Sequence, residues 1–118
     1  MIIVYDEKER KVRKAGLKDL VEAIYALTEL VPIGKATTYG SIARVLGVHP
    51  RLVGRALSQN KKLVIIPCHR VVRSDLTLGG YNKGLGFKKK LLEIEGVGFD
   101  NDKVSKKSVV KIETMIGL

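Results

Sequence analysis

The run Thr37-Thr38-Tyr39-Gly40-Ser41-Ile42-Ala43-Arg44-Val45-Leu46-Gly47-Val48-His49-Pro50-Arg51-Leu52-Val53-Gly54-Arg55-Ala56-Leu57-Ser58 carries two short helical patterns around a tight connection. Thr37 or Thr38 is suited to cap a first helix with Ile42, Ala43, Val45 and Leu46 as its apolar residues, and Gly47 ends it as a C-cap does. Pro50 fits the first position of a second helix, where its missing N–H would have no partner, and His49 precedes it as the cap. Two short helices joined by a glycine-containing turn make a helix-turn-helix, a unit whose second helix usually enters a DNA groove. The same pattern fits any helical hairpin in a small core, so taken alone it leaves both open.

Upstream, Leu17, Leu20, Val21, Ile24, Leu27 and Val31 recur at helical spacing, and Pro32 with Gly34 stops the element. Residues 2–5 and 11–13 are two short strand patterns around the polar turn at 6–9. Downstream, Leu63-Val64-Ile65-Ile66 is a continuous apolar run that reads as a buried strand. Gly79-Gly80-Tyr81 and Gly84-Leu85-Gly86 frame a flexible loop. Residues 87–95 restore helical spacing through Phe87, Leu91, Leu92 and Ile94, with Gly96 as the cap. The remainder, 97–118, reads as a short strand or a frayed tail. The expected fold is mostly α with minor strands: a winged-helix-like helix-turn-helix behind an N-terminal strand or hairpin.

A chain of 118 residues is expected to be one domain, 1–118, that buries about two-thirds of the surface its unfolded form exposes. No stretch approaches the roughly 20 apolar residues of a membrane span, and Met1-Ile2-Ile3-Val4-Tyr5 runs into charge rather than a signal-peptide core. With a single unpaired thiol, a cytoplasmic, intracellular setting is expected. The formal charge of +10, from 22 Lys and Arg against 12 Asp and Glu, concentrates polyanions near the surface, as a nucleic-acid binder does. It also fits the solvated surface of a heat-adapted protein, since Gln59 is the only glutamine.

Cys68 is the only cysteine, in Ile65-Ile66-Pro67-Cys68-His69-Arg70-Val71-Val72. It can make neither an intrachain disulfide nor a four-sulfur zinc site, so it is either a small core residue or a nucleophile with a base nearby. The adjacent His69 favours the nucleophile. Neighbours on an extended strand point to opposite faces, so cooperation needs a break from extension or a bridging water, and Pro67 supplies a break. One Cys and two His make no recognisable zinc cluster, and no cofactor is implied. His49 reads as a helix cap rather than a catalytic residue.

Thr38-Tyr39-Gly40, Pro50-Arg51 through Arg55-Ala56-Leu57, Asn60, Pro67-Cys68-His69-Arg70, Gly80-Tyr81 and Glu95-Gly96 resemble, in order and spacing, the C-terminal domain of the O6-alkylguanine-DNA alkyltransferases. The resemblance runs from about residue 20 to about residue 98. It implies irreversible transfer of an alkyl group from O6 of guanine in double-stranded DNA to Cys68, once per molecule, by a monomer. It also implies the roles. His69 is the base acting through a water, and Glu95 orients its imidazole, following the logic of a Ser-His-Asp triad. Tyr81 protonates the leaving guanine, and the amide of Asn82 lies near O6. The carbonyls of Cys68 and Val71 meet the guanine edge, and Asn60 holds the backbone around the cysteine. A nucleotide must be flipped out to reach Cys68; Arg51 would fill the gap, Tyr39 would press on the phosphate backbone, and Gly54 and Ala56 would keep the helix face slim in the minor groove.

Two departures stand out. Residues 1–16 are expected as a short arm in place of the family's usual N-terminal domain, and residues 100–118 as a C-terminal tail. Lys83 stands where relatives often have a small residue, so bulky adducts such as benzyl are expected to be disfavoured. Two other functions fit parts of the pattern: an alkyltransferase-like lesion sensor, whose members commonly replace the cysteine, and a small helix-turn-helix regulator in which Cys68 is an inert core thiol.

Overall fold

The computed structural model describes residues 3–6, 11–14, 16–60, 66–79 and 85–118. The fold is mostly α, with short strand pairs. Strands β1 (Ile3–Asp6) and β2 (Lys11–Lys14) pair antiparallel, with Ile3 opposite Lys14. Helix α1 (Leu17–Glu29) follows, its first turn closed by Asp19 Oδ2 accepting from the amide of Gly16 at 2.8 Å.

Helix α2 (Tyr39–Leu46) and helix α3 (Pro50–Ser58) form the helix-turn-helix, and their ends follow local chemistry. Thr38 Oγ1 accepts from the Ser41 amide at 3.0 Å, and Gly47 takes the left-handed conformation at φ 68°. His49 Nδ1 accepts from the Arg51 amide at 3.1 Å, ahead of Pro50. Ile24 from α1, Ile42 from α2 and Val53 from α3 meet in one core and are fully buried. Each contributes about 1.5–3 kcal/mol of burial free energy.

Two-residue strands β3 (Thr37–Thr38) and β4 (Val71–Val72) pair in parallel, Thr37 with Val71. This pairing ties the start of α2 to the segment that leaves Cys68. Residues 63–65, expected as a strand, lie outside the described residues.

Helix α4 (Leu85–Ile94) differs from the expected face. Phe87 is 48 % exposed and Ile94 81 %, while Lys88 and Leu92 are fully buried. The buried stripe is 88 and 92, one turn apart, and it takes a lysine inward because a carbonyl waits for its ammonium, as described below. The helix ends with Val97 N–H on Leu92 O at 3.0 Å and Gly96 N–H on Glu93 O at 3.0 Å, and Gly96 has φ 94°. That left-handed turn needs glycine, and it leaves Glu95 at the helix end facing back toward the cysteine segment.

Much of the segment 100–118, expected as a tail, packs on the domain, while residues 114–118 are exposed. Strands β5 (Phe99–Asp100) and β6 (Lys103–Val104) form a hairpin, and helix α5 (Ile112–Met115) docks on α2. Val104 is 1 % exposed and Ile112 is fully buried. Ser41 Oγ accepts from the Ile112 amide at 2.7 Å and donates to Glu113 Oε1 at 2.6 Å. The apolar anchors sit in elements of two to four residues separated by lysines, too short to show a period in sequence.

Candidate active site

Pro67 breaks extension as the sequence predicts, by a tight turn. Its backbone sits at φ −79°, ψ 62°, and the Cys68 amide donates to Ile66 O at 2.7 Å, which is an inverse γ-turn. Cys68–Arg70 then forms one 3₁₀ turn, so Cys68 and His69 are not on opposite faces of a strand. Cys68 is 5 % exposed.

Asn60 is buried, and its side-chain amide donates to Ile66 O at 3.1 Å and to Cys68 Sγ at 3.5 Å. It therefore holds the turn, as expected, and touches the sulfur directly, which sequence reasoning did not anticipate. Burial raises the Cys68 thiol above its ordinary value, and the Asn60 hydrogen bond and the charge of Lys88 offset this only in part. At neutral pH the resting group is a thiol that needs a base.

His69 is fully buried, with Nε2 3.1 Å from Glu95 Oε1. Burial holds its pKa below the usual imidazole value, against the pull of Glu95. The neutral ring donates from Nε2 to the carboxylate, which puts the basic lone pair on Nδ1. Glu95 is shared. Arg70 grips it with Nε on Oε1 at 2.9 Å and Nη2 on Oε2 at 2.6 Å, and Arg70 Nη1 donates to Val31 O at 2.9 Å. Burial would raise the Glu95 carboxyl, but the Arg70 hydrogen bond, seconded by His69, wins and holds it below the usual range. The Arg70 clamp was not read from sequence, where Arg70 entered only as part of the Pro67-Cys68-His69-Arg70 motif.

Lys88 was missed altogether. Its Nζ donates to Val71 O at 2.7 Å and lies 5.8 Å from the centroid of the Tyr39 ring. Burial lowers its pKa to about 8, so near neutrality it carries a desolvated positive charge that Cys68 feels. Val71 is itself fully buried, and its carbonyl keeps a second lone pair beyond the one Lys88 takes.

Tyr39, half-buried at the start of α2, turns its ring toward Gly79 and Gly54. A Cβ on Gly79 would stand 3.3 Å from Tyr39 Cε2, so glycine there permits the approach. On α3, Arg51 and Arg55 are exposed and Gly54 is partly so. Ala56 is not on that face. It is 3 % exposed, and its carbonyl accepts from Tyr25 Oη at 2.9 Å, so it belongs to the core rather than to a groove-facing surface. Positions 51, 54, 55 and 58 share one side of the helix and 53, 56 and 57 the other, which a sequence reading by motif had blurred. Tyr81, Asn82 and Lys83 lie outside the described residues. Among the described residues no group of three His, Cys, Asp or Glu side chains is placed to hold a metal ion, and no helix is long and apolar enough to cross a membrane.

Fold and site define a helix-turn-helix domain built around one thiol, with an imidazole–carboxylate pair beside it. The family model of the 6-O-methylguanine DNA methyltransferase DNA binding domain matches residues 19–97, and the chain belongs to that family. The methylated-DNA–protein-cysteine methyltransferase of Pyrobaculum aerophilum is 54 % identical over 66 residues, covering 56 % of this chain and 45 % of that protein. The chain thus spans about half the length of the curated relatives it matches. The crystal structure of O6-methylguanine-DNA methyltransferase from Pyrococcus kodakaraensis strain KOD1 superposes with a TM-score of 0.61 at 45 % identity, over 65 % of this chain and 46 % of that one. S. pombe Atl1, in complex with damaged DNA containing O6-carboxymethylguanine, superposes with a TM-score of 0.69 at 27 % identity, over 82 % of this chain and 99 % of that one.

Proposed function

We propose that this domain repairs DNA by moving a methyl group from O6 of guanine to Cys68, acting once, as a monomer on double-stranded DNA. The observation that carries the reading is the His69–Glu95 pair set one residue from the only thiol of the chain. In the step, the Cys68 proton passes through a water to His69 Nδ1 as the sulfur attacks the methyl carbon. The S–C bond forms, the C–O6 bond breaks, and its electron pair stays with the guanine, which takes a proton from Tyr81. Glu95 stabilises the imidazolium that results, and Arg70 keeps that carboxylate ionised and aimed. Lys88 supports the developing negative charge on sulfur and holds the Val71 carbonyl, which with the carbonyl of Cys68 meets the guanine edge. The Asn82 amide, near O6, completes the pocket by resemblance.

The target base lies inside a duplex and must be extruded. Arg51, exposed near the start of α3, would fill the vacated stack, with Gly54 leaving room beside it and Tyr39 pressing on the strand from the start of α2. By the resemblance, Lys83 in place of a small residue would disfavour benzyl-sized adducts.

Incubation with a duplex containing O6-methylguanine, followed by intact-mass measurement, tests it. One added methyl on the wild-type protein and none on Cys68→Ser is the expected result. Tight binding of the lesion with no mass gain would make the protein a sensor, and indifference to the lesion a regulator.

A further inference from the structure

The family match ends at residue 97, yet the segment beyond it builds one wall of a cleft that also reaches the start of α2. The cleft holds about 400 Å³; its polar lining is Thr38, Arg44, Ser74, Lys106 and Lys111, over an apolar floor. Arg44, Lys106 and Lys111 are exposed. Glu113 lies against Arg44, its Oε2 accepting from Arg44 Nε at 2.6 Å and its Oε1 from Ser41 Oγ at 2.6 Å. Lys106 and Lys111 have no acidic partner among the described residues, and the lining residues include three cations and no carboxylate, so the lining is net positive.

Groups that bind anions converge there. A Cβ on Gly40 would stand 2.9 Å from Ser74 Oγ and 3.4 Å from Arg44 Nη1, which places a hydroxyl and a guanidinium at the first turn of α2. The first-turn amides of a helix have no acceptor within it, and the Thr38 cap takes that of Ser41. Tyr39, next to Thr38, turns the other way, its ring against Gly79 and near Lys88 on the side of Cys68. The start of α2 therefore stands between the thiol pocket and the cleft.

We propose that this cleft seats backbone phosphates of the DNA strand that delivers its nucleotide to Cys68, with Lys106 and Lys111 extending the DNA-binding surface beyond the helix-turn-helix. The inference rests on the proposed repair function, since it takes the partner to be DNA. A strand whose nucleotide reaches Cys68 crosses the start of α2, and the phosphates that follow come to the cleft. The ligand is the phosphodiester, read by charge and hydroxyl without regard to sequence.

The test is the salt dependence of duplex affinity for Lys106→Gln/Lys111→Gln against a control of equal charge, Lys18→Gln/Lys90→Gln, whose residues are exposed on α1 and α4 outside the cleft. If both lysines neutralise phosphates, the slope of log affinity against log salt becomes shallower by roughly 1.8 in the cleft variant. The control should keep the wild-type slope. A cleft variant whose slope matches the wild type or changes only as much as the control overturns the proposal. Intact mass after reaction at saturating methylated duplex keeps the two readings apart. Wild type and cleft variant should both gain one methyl, so failed methyl transfer by the wild type tells against the repair reading, while an unchanged slope tells against the cleft alone.

Discussion

The ammonium of Lys88 and the carbonyl of Val71 meet at 2.7 Å inside the protein, joining α4 to the strand that leaves the 3₁₀ turn of Cys68. A lysine with no exposed surface is costly, and its charge is retained beside the thiol it influences. Replacing it with methionine keeps the volume and removes both the charge and the donor. Lys88→Met should slow methyl transfer by on the order of tenfold to a hundredfold. Because Lys88 draws the Cys68 pKa down, the variant should also shift the pH profile of Cys68 alkylation by iodoacetamide upward, an effect that loss of packing alone would not produce.

Glu95 satisfies two buried side chains at once. Glu95→Ala leaves the Arg70 guanidinium in the interior without its carboxylate and should destabilise the fold by about 3 kcal/mol, measured by urea denaturation. Glu95→Gln, which retains an acceptor oxygen, should cost less stability and still slow transfer, because a neutral amide stabilises an imidazolium poorly.

Acid should weaken the fold in two stages with the same sign. His69 titrates below its ordinary 6.5 in the native state, so the unfolded chain binds its proton first, and stability present above 6.5 is lost as pH falls from there toward the native pKa. Glu95 behaves likewise, and stability present above its ordinary 4.5 is lost as pH falls further. Thermal unfolding across pH should show the advantage of wild type over His69→Gln constant above neutrality and shrinking below 6.5.

Asn60→Ala removes donors to Ile66 O and to the sulfur. A cost of about 1–3 kcal/mol follows from the buried carbonyl left without that partner. The thiol pKa should rise, since the amide hydrogen bond holds it down, and the rate of Cys68 alkylation against pH reads the change directly.

Arg51→Ala should separate extrusion from chemistry. Flipping a nucleotide costs a few kcal/mol, and losing the side chain proposed to fill the gap should slow transfer from duplex by on the order of tenfold or more. Transfer from the free O6-methylguanine base, which needs no flipping, should keep its wild-type rate.

The helix-turn-helix was legible because its signals are local. A threonine cap, a left-handed Gly47 and Pro50 after His49 each act within a few residues, and the structure uses all of them. Cys68, His69 and Glu95 were legible through the family resemblance, and the fold brings the last two to 3.1 Å. What was hidden depends on neighbours far along the chain. Lys88 stands out only once Val71, 17 residues away, supplies its acceptor. Arg70 has a role of its own only once Glu95, 25 residues away, fills its fork. Ala56 looked like part of a slim outer face until α1 covered it.

The chain by itself determined where helices start and stop, that a lone thiol sits next to an imidazole, and that positive charge predominates, since capping, covalent order and composition need no third dimension. Only the tertiary structure decided which polar groups leave water. Desolvation depends on what packs around a group, and the parallel pairing of Thr37 with Val71 and the burial of Lys88 and Arg70 join residues whose separation in sequence carries no trace of their contact.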